Sequence, residues 1–214
     1  MSSVYGAATQ RTYLVIGGGG FLGKKICEAL LERGENHVRI FDIRKTWEDS
    51  RIEKFFVADL TKLSDVVEAC RGIDTIIHTA SPPHSVGYQV YFKVNVEGTK
   101  NVIAACLENN VKRLVYTSSS SVVFDGSHLR GVDETKPYCK KHLDPYNHTK
   151  VIAKTLAQQK KKGEKSKKSQ KIFKKKKKGT GRKNFLGSKR KGIPHHLRNQ
   201  ACRHDLLNLK KKIF

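Results

Sequence analysis

The chain has 214 residues, 37% of them hydrophobic, enough for one main core with or without an extension but not for several packed domains. Its 43 Lys+Arg against 19 Asp+Glu give a formal net charge of +24, and the excess is local: residues 1–150 carry 20 basic and 17 acidic side chains, residues 151–214 carry 23 and 2. No run of about 18 apolar residues is present to span a bilayer as a helix, Met1–Gln10 lacks the apolar core of a secretory signal, so that an intracellular address is the default, and five cysteines without a CxxC pair point to reduced thiols rather than a disulfide framework or a zinc site.

From Thr12 onward short apolar runs alternate with longer amphipathic stretches, the pattern of a parallel sheet covered by helices. The first strand is expected at Tyr13–Ile16. It runs into Gly17-Gly18-Gly19-Gly20-Phe21-Leu22-Gly23 and a helix over Phe21–Glu32, with Leu22, Ile26, Ala29 and Leu30 at helical spacing and Gly34 placed to cap its end. Glycines at 17, 20 and 23 in a strand–turn–helix setting suit a dinucleotide pyrophosphate. The first permits the tight turn, the middle one lets backbone N–H groups approach phosphate oxygens at the helix N-terminus, and the last allows close helix–strand packing.

The second strand, Val38–Asp42, ends on a carboxylate about 20 residues beyond the loop, where it can accept hydrogen bonds from the adenosine ribose. Asp42 thereby favours NAD over NADP, because a 2′-phosphate would meet its negative charge, although Arg44 and Lys45 lie close enough to weaken the preference. Trp47 either lies near the adenine or packs on the sheet edge. A third strand, Phe55–Ala58, leads to Asp59-Leu60, which places a carboxylate near the adenine amino group or in solvent. Ser64–Cys70 reads as a short helix N-capped by Ser64, Thr75–His78 as the fourth strand, Val90–Asn109 as a long helix and Leu114–Thr117 as the fifth strand.

A serine cluster, Ser118–Ser121, follows the fifth strand, at the edge where open α/β sheets bind their ligands. Beyond it, Tyr146-Asn147-His148-Thr149-Lys150 sets a phenol and an ammonium four residues apart, on one face of a helix beginning near Pro145. A phenol is a weak base at neutral pH, but a neighbouring cation favours its phenolate, which can take a proton from a substrate alcohol. Ser119 can hydrogen-bond the same oxygen. His78, His148 and Cys139 read as packing or local hydrogen-bonding groups rather than as acids or bases.

These residues carry a resemblance. Through Val15–Gly23, His78-Thr79-Ala80-Ser81-Pro82-Pro83, Val94-Asn95-Val96-Glu97-Gly98-Thr99-Lys100-Asn101-Val102, Tyr116-Thr117-Ser118-Ser119 and Tyr146–Lys150, the chain from about Thr12 to Leu156 resembles the extended short-chain dehydrogenase/reductases. Within them it is similar to the 3β-hydroxysteroid dehydrogenase group, and Ser81-Pro82-Pro83 with Val122-Val123-Phe124-Asp125-Gly126 point to its sterol carboxylate branch. The resemblance implies an α/β, Rossmann-type doubly wound parallel sheet over residues 10–158. It implies NAD, with NADP as the alternative, held by Gly17, Gly20, Phe21, Leu22, Gly23, Asp42, Asp59, Leu60, Thr79, Ala80, Ser81, Asn95, Tyr146 and Lys150.

The implied reaction is oxidation of the 3β-hydroxyl of a steroid or 4-carboxysterol, with Ser119, Tyr146 and Lys150 as catalytic residues. Lys150 would bind the nicotinamide ribose and favour the phenolate, Tyr146 would remove the hydroxyl proton, Ser119 would orient that oxygen, and hydride would pass to the nicotinamide. Oxidation of a 4-carboxysterol yields a β-keto acid, which loses carbon dioxide without a further residue because the ketone accepts the electrons released. The resemblance also implies a cytoplasmic or endoplasmic-reticulum-associated protein and is compatible with a homodimer.

After Ala157 the resemblance stops. Family members continue with further strands and a small substrate-binding domain, whereas residues 159–214 turn to lysine, with the run Lys174–Lys178 and apolar residues that keep no sustained period, so a truncated sheet with a disordered basic tail is expected. Leu206, Leu207, Leu209 and Ile213 form a weak helical pattern, and His195-His196 has no acidic or cysteine partner at ligand spacing, so no metal site is expected. Two readings of the tail compete. As an appendage it would attract nucleic acid or anionic membrane nonspecifically, making the chain a non-catalytic binding protein on a nucleotide-binding fold. As the product of a shifted frame, retained intron or truncated gene model it would replace the element that closes over a sterol, leaving an inactive chain. The second is favoured, because lysine onset coincides with loss of the family pattern.

Overall fold

The structure, a computed structural model, describes residues 10–163 other than Glu134, with side chains as far as Gln159. The expectations for residues 164–214, namely the disordered tail, the Leu206–Ile213 pattern and His195-His196, lie outside the described residues. Five strands form: β1 (Thr12–Ile16), β2 (His37–Asp42), β3 (Lys54–Val57), β4 (Thr75–His78) and β5 (Arg113–Tyr116). Between and after them lie α1 (Phe21–Glu32), α2 (Leu63–Ala69), α3 (Tyr88–Tyr91), a π-helical segment Phe92–Gly98, α4 (Thr99–Glu108), a 3₁₀ turn Ser120–Val123 and α5 (Pro145–Gly163).

All five strands pair in parallel, in the order β3-β2-β1-β4-β5. The period of two along β1 divides two cores. Leu14 and Ile16 join Phe41 and Ile76 in packing against Val66 and Ala69 of α2 and Val102 and Ala105 of α4. Tyr13 and Val15 pack with Val38 and Ile40 against Cys27, Leu30 and Leu31 of α1 on the other face. Strand order reverses between β1 and β4, so the carboxyl ends of these two neighbours open the crevice in which such sheets bind ligands.

Local signals explain most element ends. Gly34 takes φ +81° after α1, and the N–H groups of Gly34 and Glu35 donate to Leu31 O (2.9 Å) and Leu30 O (3.1 Å), closing the helix in a Schellman motif. The start of α2 differs from expectation: Lys62 stands at the N-cap without a side-chain bond, and the Ser64 hydroxyl donates instead to Asp65 Oδ1 (3.1 Å). Asp65 holds that end, accepting the Asp59 N–H on Oδ2 at 3.2 Å and placing negative charge in the first turn. The long helix expected at Val90–Asn109 runs from Tyr88 to Glu108 and contains the π-helical segment. Helix α5 continues through Lys160–Lys162, lysine being a good helix former.

Candidate functional site at the β1–β4 crevice

The glycine loop is pressed onto the strand ends. Gly17 sits at φ +88°, its N–H donates to Phe41 O at 2.8 Å, and a Cβ there would stand 2.6 Å from the Ala80 backbone nitrogen. A Cβ on Gly23 would collide with the Gly17 carbonyl, so α1 can approach β1 this closely only with glycine at both positions. Gly20 caps α1 without a side-chain bond and no acidic residue occupies the first turn, which leaves uncapped N–H groups and the positive helix end for an anion. Phe21, 85% exposed, and Leu22 stand at this same turn.

Asp42 ends β2 against this loop. Its Oδ2 accepts the Gly19 N–H at 2.9 Å and its Oδ1 the Arg44 N–H at 3.4 Å. Two clamps on the loop have no sequence signature: Thr46 Oγ1 donates to Gly19 O (2.6 Å) and Trp47 Nε1 to Gly18 O (2.8 Å). Trp47 packs against the α1-side core. Lys45 is paired with Glu48 at 2.6 Å. Burial pushes the Asp59 carboxyl up, but the Thr61 N–H (2.8 Å to Oδ1) and the Lys93 and Lys62 charges outweigh it, and the net shift is downward. Leu60 is buried beneath Gly98, where a Cβ would come within 2.8 Å of its Cγ.

Beyond β4, the Thr79 N–H and Oγ1 both donate to Ile16 O (2.8 and 3.0 Å) and the Ala80 N–H reaches the same oxygen at 3.1 Å, joining the two lips of the crevice. Ser81 Oγ donates to Asn95 Oδ1 (3.0 Å), and Asn95 Nδ2 donates to Thr149 Oγ1 (3.1 Å). Asn95, 1% exposed, thus ties the segment after β4 to the π-helical segment and to α5 through one buried amide.

Lys150 lies beneath the other end of the crevice. It is 3% exposed, and its Nζ donates to Thr117 O at 2.9 Å while lying 4.8 Å from the Tyr116 ring centre and 6.0 Å from that of Tyr146. Burial pushes its pKa down to about 8. Tyr146 is half-buried, its ring flanked by Tyr91 at 5.7 Å and His84 at 5.9 Å. Ser119 caps the 3₁₀ turn; its Oγ shares a 2.9 Å hydrogen bond with Ser121 Oγ, and among the described residues none joins it to Tyr146. What docks α5 on this segment is Asn147, whose Nδ2 donates to Ser121 O (2.5 Å) and Phe124 O (3.2 Å).

The neighbouring histidines are local. Burial, then the Lys150 charge, pushes the fully buried His78 down to about 3, so its ring is neutral, 3.1 Å from Thr99 Oγ1. His148 stacks on Tyr88 (5.8 Å) and His142 (4.6 Å), and burial followed by His142 lowers its pKa. Cys139 donates to Asn147 Oδ1 at 3.3 Å. Among the described residues no cluster of three or more His, Cys, Asp or Glu is arranged to hold a metal ion.

The model of the 3-beta hydroxysteroid dehydrogenase/isomerase family matches residues 14–171. The chain is similar to the Mus musculus protein named sterol-4-alpha-carboxylate 3-dehydrogenase, decarboxylating, at 43% identity over 139 residues, 64% of this chain and 38% of that protein. A Candida albicans protein of the same name is 41% identical over 155 residues, 67% of this chain and 44% of the relative. The chain therefore spans about two fifths of the length of these curated relatives. Among solved structures it is similar to a short-chain dehydrogenase/reductase superfamily protein from Agrobacterium tumefaciens with bound NAD (TM-score 0.62, 28% identity, 68% of this chain, 44% of that one). It is likewise similar to UDP-glucose 4-epimerase of Thermus thermophilus in complex with NAD (TM-score 0.59, 28% identity, 69% and 50%).

Proposed function

The chain belongs to the 3-beta hydroxysteroid dehydrogenase/isomerase family, and on that premise we propose that it carries the NAD-binding and catalytic part of an oxidoreductase acting on the 3β-hydroxyl of a sterol, above all a 4-carboxysterol. The observation that carries the reading is the buried Lys150 ammonium beside the half-buried Tyr146 phenol at the strand edge that also bears the glycine cradle. The residues fit a dinucleotide. Glycines at 17 and 23 stand where any side chain would collide with backbone, the start of α1 is uncapped, and Asp42 presents a carboxylate at the end of β2. That carboxylate favours NAD over NADP, and two similar solved structures hold NAD.

When bound, NAD supplies the hydride acceptor. Lys150, held by the Thr117 carbonyl, sets its positive charge beside the Tyr146 ring, where it steadies the negative charge on the phenol oxygen during proton transfer. The Tyr146 Oη then takes the proton of the 3β-hydroxyl. Ser119 turns its hydroxyl from Ser121 to the same substrate oxygen, and loss of carbon dioxide from the resulting β-keto acid needs no further group. Titration with NAD followed by sterol turnover, on the wild-type chain and Tyr146→Phe, tests the reading. Cofactor affinity is expected to persist in the variant while turnover falls at least about 100-fold. Binding without Tyr146-dependent turnover would leave a nucleotide-binding protein and remove the enzyme.

The concentration of 23 basic and 2 acidic residues in 151–214 favours a second reading, charge-driven association with nucleic acid or anionic membrane. It requires RNA binding that weakens with salt and disappears on deletion of residues 160–214.

A further inference from the structure

Tyr146 is met by an exposed ring that the proton transfer does not use. His84 lies between β4 and α3, its imidazole 5.9 Å from the Tyr146 ring at an interplanar angle of 56°. No hydrogen bond or ion pair engages it among the described residues. The segment that presents it is built. Pro82 and Pro83 restrict the chain ahead of it, and the buried Tyr91 donates its hydroxyl to Pro83 O at 3.1 Å while standing edge-on to Tyr146. Ser81 is tied to Asn95. Directly after His84, Ser85 takes φ +67°, a left-handed conformation that a non-glycine residue adopts at a cost and that clusters at ligand sites.

The segment therefore presents an exposed imidazole beside the phenol. An imidazole offers at least one N–H donor in either charge state. With the Tyr146 Oη on the reacting hydroxyl, an imidazole centred 5.9 Å from the Tyr146 ring is within reach of a substituent on the adjoining carbon. Two neighbouring donors are not available to it: Lys150 is buried and bonded to Thr117 O, and the Tyr91 hydroxyl is committed to Pro83 O.

We propose that His84 determines specificity for a carboxylate on the carbon next to the reacting carbinol, receiving it through an imidazole N–H hydrogen bond. This rests on Tyr146 as the proton acceptor. It adds a recognition role for a residue that the glycine loop and the Tyr146–Lys150 pair do not involve.

The test compares a 3β-hydroxy-4α-carboxysterol with the same sterol lacking the carboxylate, by equilibrium dialysis against the full chain in the presence of NAD and by kcat and KM. The wild-type chain is expected to bind the carboxylated sterol at least about tenfold more tightly, the value of one charge-assisted hydrogen bond. His84→Phe keeps a ring and removes the donor, and should reduce the preference to below about twofold, with the loss in KM of the carboxylated sterol. His84→Gln, which restores an N–H donor, should recover most of it. Equal weakening for both sterols in His84→Phe, an unaltered preference in that variant, or no preference in the wild-type chain overturns the proposal. Tyr146→Phe separates the two ideas: it should keep the carboxylate preference in dialysis while losing turnover, so that persistent turnover removes the proton-acceptor role and a lost wild-type preference removes His84.

Discussion

Lys150 is a charged side chain buried at the expense of stability. Its ammonium is 3% exposed, with a carbonyl and two phenol faces as company. Burial lowers its pKa from 10.5 to about 8, so the unfolded chain holds the proton more tightly than the folded one. The penalty is therefore complete below about pH 8 and is relieved as pH rises from there through 10.5. Lys150→Met keeps the stem and removes the charge. It should stabilise the fold at pH 7 by about 1–2 kcal/mol even after the Thr117 carbonyl loses its partner, with the gap to wild type closing toward pH 10. Urea unfolding of both proteins at pH 7 and 10 measures this, and a variant less stable than wild type at pH 7 contradicts it. Turnover should be lost. Gly23 is the opposite case, a position with no chemistry and no tolerance: a Cβ there meets the Gly17 carbonyl, so Gly23→Ala must lift α1 from the loop, at about 1–3 kcal/mol, and should abolish NAD binding in a titration.

Elements differ in how far the sequence reveals them. The five strands are legible to within a residue or two, because strands covered on both faces read as continuous Val, Ile, Leu and Phe. Helix α1 is legible to its ends, being bounded by Gly20 and by the positive-φ Gly34. The α2 start is not, because the helix begins at Leu63 with Lys62 at the N-cap, which puts Ser64 inside the first turn. Nor is the π-helical segment, whose apolar spacing reads as ordinary helix; within it the resemblance assigns Asn95 to the cofactor, while the described structure shows both ends of its amide engaged by Ser81 and Thr149. The Tyr146–Lys150 pair is legible from its helical spacing. The dock beneath it is not, since Cys139, His142 and Asn147 converge only through the path of a loop. That dock predicts an asymmetry. Asn147→Ala takes the Asn147 partner from the Phe124 carbonyl and leaves the Ser121 carbonyl only the Phe124 N–H, and should cost about 2–3 kcal/mol, whereas Cys139→Ser retains a donor to Asn147 Oδ1 and should stay within about 1 kcal/mol. Equal losses in chemical denaturation would mean that the dock is held by packing instead.

At the scale of the whole molecule, two features compete for an anionic dinucleotide: the cradle between β1, β2 and β4, and the 23 basic residues of 151–214. They differ in linkage. The cradle requires the crossover of β1 and β4 and the approach of α1, so it exists only in the folded chain, whereas a lysine run attracts phosphate in the unfolded chain as well. A ligand stabilises a fold only by its preference for the folded state. NAD at about 100 times its Kd should therefore contribute about 2.7 kcal/mol through the cradle and raise Tm by roughly 5–10 °C, while lysine-bound NAD should leave Tm in place. Salt separates them again. Counterion release weakens the lysine contacts steeply between about 50 and 200 mM salt, but the backbone N–H donors of the cradle keep their geometry, so the Tm shift should persist. The shift should be smaller with NADP, and Asp42→Ala should narrow the difference, because the carboxylate held on the Gly19 N–H is what a 2′-phosphate would meet. Thermal unfolding with each dinucleotide at both salt concentrations decides the matter: binding by titration with no Tm shift assigns the dinucleotide to the lysines and leaves the glycine loop a structural turn.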